Sequence, residues 1–80
     1  MATPSNTNTA LNTLAEAFTK MLHEEIDGLT RFNEIEHELR ATPAGTPEFG
    51  TLRKERTQMI LQVRNARKAQ DSIKIQMLKV

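Results

Sequence analysis

The chain has 80 residues, a formal net charge of +1, no cysteine, tryptophan or tyrosine, and three phenylalanines. That length allows one small domain with a limited core, and without cysteine neither disulfides nor thiolate metal sites can reinforce it. The scarcity of aromatics leaves little wall for a small-molecule pocket, and no run of about eighteen apolar residues is present to cross a bilayer.

The first ten residues, MATPSNTNTA, are mostly Thr, Asn, Ser and Pro. They bury too little apolar surface to offset the entropy of ordering, so a flexible arm is predicted over residues 1–10. The stretch also lacks the basic and apolar regions of a cleaved signal peptide, which implies synthesis in the cytoplasm.

Helix signals follow directly. Thr13 stands three residues before Glu16, a capping-box spacing, and Thr9 or Asn8 offers an earlier cap. Leu11, Leu14, Phe18, Met21, Leu22, Ile26, Leu29, Phe32, Ile35 and Leu39 then recur at steps of three or four. This apolar stripe predicts a helix over residues 11–40. Gly28 interrupts it at a cost of about 1 kcal/mol relative to alanine, and marks either a slight bend or a close approach by another backbone.

Residues 41–46, ATPAGT, stop that helix and make a turn through Pro43 and Gly45. Thr46 followed by Pro47 reads as an N-cap with proline at the first helical position, which predicts a second helix over residues 47–80. Its seam is Phe49, Leu52, Arg56, Met59, Val63, Ala66, Gln70, Ile73, Met77 and Val80, in unbroken steps of three and four. A sustained 3.5-residue repeat suits supercoiled packing. The two polar seam positions, Arg56 and Gln70, either set register and partner number or pack their stems while their heads reach water. Two long helices joined by so short a link must run antiparallel. The expected fold is all-α, an antiparallel two-helix coiled-coil hairpin with a flexible N-terminal arm.

Charge is divided between the helices. Over residues 11–40, Glu16, Glu24, Glu25, Asp27, Glu34, Glu36 and Glu38 oppose Lys20, Arg31 and Arg40, leaving −4; over residues 47–80, Arg53, Lys54, Arg56, Arg64, Arg67, Lys68, Lys74 and Lys79 oppose Glu48, Glu55 and Asp71, leaving +5. Surface pairs contribute only about 0–1 kcal/mol each, so this asymmetry speaks to orientation and partner choice. Ile60, Leu61, Ile75 and Leu78 lie off the seam. A hairpin has one helix–helix interface, so they predict association with another chain.

Chemical motifs are sparse. His23 and Asp27 share a helical face in a pattern like HExxH, but Asp27 replaces the second histidine and no third ligand is placed. Glu34 and His37 have the E-x-x-H spacing of di-iron bundles, but the second helix has no histidine to repeat it. No nucleophile–base pair, glycine-rich phosphate loop or cysteine cluster is present, so neither enzyme activity nor a metal or other cofactor is expected. The eight bases of the second helix could meet phosphates, but the acidic first helix, the missing Tyr and Trp and the small net charge argue against nucleic acid.

The opening Met1-Ala2-Thr3-Pro4, the turn from Pro43 to Pro47, and Val63-Arg64-Asn65-Ala66 resemble the needle subunits of bacterial type III secretion systems. The arginine follows the turn proline by seventeen residues, as expected in that family. The stretch from Gln62 to Val80 also looks like the last helix of the related rod proteins. The resemblance implies a two-helix subunit that assembles helically into a hollow filament, secreted or displayed at the cell surface, with Arg64 and Asn65 joining Ile60, Leu61, Ile75 and Leu78 at subunit contacts. Where those needles carry tyrosines before the Arg-Asn step, this chain has Ile60 and Gln62-Val63. A small helical adaptor or chaperone that binds one partner helix is the alternative.

Overall fold

The computed structural model describes residues 5–80, with side chains from Thr9 onward. Helix α1 spans Ser5–Ala41 and helix α2 spans Pro47–Lys79. They pack antiparallel into a thin rod whose Cα atoms extend 69 × 14 × 13 Å. Among the described residues there is no strand, and the protein is an all-α helical hairpin.

The first helix starts six residues before the predicted Leu11. Of the arm predicted over residues 1–10, residues 5–10 are helical, and residues 1–4 lie outside the described part. Once a helix is nucleated, each further Ser, Thr or Asn costs only a few tenths of a kcal/mol, so polar composition alone did not stop it. Thr13 is accordingly an interior residue and not a cap.

The turn matches its chemistry. Gly45 has φ +88°, a left-handed conformation that glycine adopts without strain. The Thr46 hydroxyl donates to the Pro43 carbonyl at 2.8 Å and accepts from the Phe49 N–H at 3.3 Å, so α2 opens on a capped turn with Pro47 at its start. At the other side of the turn, the Thr42 hydroxyl donates to the Glu38 carbonyl, which closes α1.

The core is a single seam. Ile35 is fully enclosed on α1 at 0% exposure, and Val63, Ala66, Gln70 and Ile73 are buried along α2. Phe49, Leu52, Arg56, Met59 and Met77 are half-buried on the same seam. Val80 departs from the prediction: it is the C-cap of α2 and 47% exposed. Gly28 is buried on α1, where a Cβ would stand 2.9 Å from Val63 Cγ2. Of the two roles predicted for this glycine, the structure shows the close approach. The Gln62 amide uses the gap and donates to the Glu24 carbonyl at 2.9 Å.

Ion pairs border the seam on both sides. Arg31 holds Glu55 in a fork, Nε to Oε2 at 2.7 Å and Nη2 to Oε1 at 2.8 Å. On the other flank Arg56 meets Glu36 at 3.0 Å and Arg67 meets Glu25 at 2.7 Å. The last two join bases of α2 to acids of α1, as the divided charge predicts. Arg31 with Glu55 runs in the opposite sense.

Candidate functional site

A two-helix contact covers one side of each helix. On α1, Leu22, Ile26 and Leu29 follow one another at i, i+4 and i+7 and remain exposed, forming an aliphatic row beside the buried one. On α2, Ile60, Leu61, Ile75 and Leu78 are exposed as well, Ile75 at 55% and Leu78 at 87%. The rod thus carries exposed aliphatics on both helices.

Part of this surface is concave. Leu29 and Phe32 from α1 and Met59, Ile60 and Val63 from α2 line an open groove of about 380 Å³, bordered by Arg64, Arg67, Lys68 and Asp71. The six residues predicted for partner contacts therefore do not form one patch. Ile60 lines the groove and Arg64 stands at its border. Leu78, eighteen residues or about five turns beyond Ile60, lies on the same side of α2. Leu61 is turned roughly 100° further around the helix, and Ile75, two heptads on, shares that outer face with it. Asn65 is exposed and outside the groove.

The sequence pattern runs the α1 row into one long stripe, and the structure sets it apart as exposed. A signal for it exists in the heptad Leu14, Met21, Gly28 and Ile35, which faces α2 and leaves Leu22, Ile26 and Leu29 beside it. Leu11, at the far end of α1, is likewise exposed.

The electrostatics favour an asymmetric rod. Hydrogen bonds from Arg67, then from Gln70, hold the Glu25 carboxyl below its ordinary range. The Arg31 fork does the same for Glu55, whose hydrogen bond in turn raises the Arg31 pKa. Gln70, only 8% exposed, donates to Glu25 Oε1 at 2.7 Å and to the Met21 carbonyl at 3.4 Å. The amide of this seam residue is thus satisfied inside the hairpin. Arg56 likewise spends its head group on Glu36. Among the described residues, Arg53, Lys54, Arg64, Lys68, Lys74 and Lys79 make no ion pair. The Lys74 ammonium instead lies 5.7 Å from the centre of the Phe18 ring, within reach of a cation–π attraction.

His23, Asp27, Glu34 and His37 are all exposed. Among the described residues no three His, Asp or Glu side chains come together as metal ligands would, and no helix is long and apolar enough to cross a membrane. Comparison with protein-family models, with curated protein sequences and with solved structures finds no match to this chain.

Proposed function

We propose that this protein is a structural subunit that assembles by helix packing, of the needle or rod type that its turn and its Val63-Arg64-Asn65-Ala66 segment resemble. The observation that carries this reading is the pair of exposed aliphatic rows on the two helices, meeting at the groove beside Leu29 and Ile60. Full burial of one such side chain contributes about 1.5–3 kcal/mol, so several together offset much of the entropy lost on association. Within the needle-like segment, Val63 and Ala66 are buried in the seam while Arg64 and Asn65 are exposed. That division supports giving the first two to the hairpin and the second two to neighbouring subunits. Under this reading the chain works outside the cytoplasm in which it is made.

Light scattering on the purified chain over a concentration series tests the proposal. Growth with concentration is expected, as is its loss in Ile60→Ser with Leu78→Ser, while circular dichroism still reports helix. About 1 M salt, which shortens screening to roughly 3 Å, should leave assembly in place. Retained growth in the double variant together with dissolution in salt would show that charge, and not the aliphatic surface, holds the copies together. A fixed small complex with one helical partner, and no growth, would favour the adaptor reading.

A further inference from the structure

We infer that the groove beside Leu29 and Ile60 receives the outer edge of α1 from a second copy, in a head-to-tail contact whose direction is set by charge. This rests on the assembly reading above and names its contact. The groove is apolar along its floor and basic on its α2 side, where Arg64 and Lys68 border it and make no ion pair among the described residues. Arg67, at the same border, is held by Glu25, and Asp71 is the one acid there. A helix that fits must present aliphatics on one side and carboxylates on the other.

Helix α1 has that arrangement on its outer edge. Leu22 and Ile26 are exposed, and Glu16, Asp27 and Glu34, with Lys20 between the first two, form a second exposed row in which three acids outnumber one base. Glu16 and Asp27 make no ion pair among the described residues, and Glu34 reaches only Arg31 of its own helix, at 3.4 Å. The outer side of α2 is the wrong occupant because it would set bases against bases, a juxtaposition that suppresses a contact. Leu22, one heptad before Leu29, shares its side of α1, but Ile26 is turned roughly 60° and Asp27 roughly 160° from Leu29, so the charged part of the edge lies outside the groove. A contact between different surfaces is heterologous and leaves one of each unfilled at the ends of any chain of copies. The aliphatics supply the attraction, and the bases Arg64 and Lys68 against the acidic row of α1 choose the orientation.

Charge reversal tests the pairing by light scattering. A groove variant carries Arg64→Glu with Lys68→Glu; an edge variant carries Glu16→Lys with Asp27→Lys. All four positions are exposed, and circular dichroism checks that each variant stays helical. Each variant alone should need a concentration higher by about tenfold or more to grow. An equimolar mixture of the two should recover growth, because every junction then joins opposite charges again, and a chain carrying all four changes should recover it alone. Variants that grow like the parent would overturn this contact while leaving assembly intact, and so would a mixture that fails to recover. A parent chain that stops at a closed dimer overturns the head-to-tail arrangement, and one that stays single at every concentration overturns the assembly reading itself.

Discussion

Gly28→Ala sets a local gain against a packing cost. Alanine is favoured over glycine inside a helix by about 1 kcal/mol. Against this, the new Cβ would lie 2.9 Å from Val63 Cγ2, 3.4 Å from Gln62 Nε2 and 3.6 Å from the Met59 carbonyl oxygen. Val63 cannot turn aside cheaply, since it is buried and a helical valine has one strongly preferred rotamer. Overpacking of this kind costs about 1–3 kcal/mol, and displacing Gln62 from the Glu24 carbonyl costs about 0.5–1.5 kcal/mol more. The cost wins by roughly 1–2 kcal/mol, which for a domain of this size lowers the thermal midpoint by about 5–15 °C. Thermal unfolding followed by circular dichroism reads the shift. Val63→Ala removes the offending methyl, so Gly28→Ala with Val63→Ala should be more stable than the sum of the two single changes by at least about 0.5 kcal/mol. A stabilised Gly28→Ala, or a double variant that is merely additive, would refute the claim that the helices are in limiting contact at Gly28.

Acid should weaken the hairpin through Glu25 and Glu55. Both carboxyls have lowered pKa values in the folded chain, so their contribution is complete above the ordinary value of 4.5 and is lost as pH falls through the folded values below it. Thermal midpoints measured on either side of that value should decrease toward acid, and Glu25→Gln with Glu55→Gln should flatten the decrease; equal slopes in parent and variant would exclude these two groups. Thr46→Ala removes the acceptor of the Phe49 N–H and the donor to the Pro43 carbonyl. A lost N-cap costs about 0.5–2 kcal/mol, so its midpoint should fall while Thr51→Ala, with an exposed hydroxyl inside α2, changes little.

The second helix was legible in the sequence because its signals are local. Thr46 and Pro47 state where it starts, and an unbroken repeat states which side is buried. The beginning of α1 was not, since Ser5 to Ala10 have neither an apolar pattern nor a breaker and their state follows from the helix they extend. On α1 ten apolar residues form one stripe in the sequence, although a single packed helix covers less than that. The heptad Leu14, Met21, Gly28 and Ile35 hints at the separation of Leu22, Ile26 and Leu29, but which of the two sides is covered is decided by the packing of α2. The same holds for Gly28 with Gln62: the glycine advertised a special position, but its partner depends on the register between two helices, which no local pattern encodes. The pairing of Arg31 with Glu55, against the overall charge division, is of this kind too.

Under the proposed assembly, the turn determines what one copy can exchange with another. In many helical hairpins the link can straighten, so that α1 and α2 merge and each half pairs with the complementary half of another molecule, a domain swap. Here Pro43 and Pro47 lack the N–H groups a continuous helix would need and their rings obstruct the preceding turn, and Gly45 holds a left-handed φ of +88° between them. Opening the hairpin into one long helix is therefore opposed at two of the five linking residues and at the first residue of α2. The exchanging unit is the closed hairpin, so isotope-labelled chains added to an assembly should enter whole, without mixed-chain hairpins at any stage.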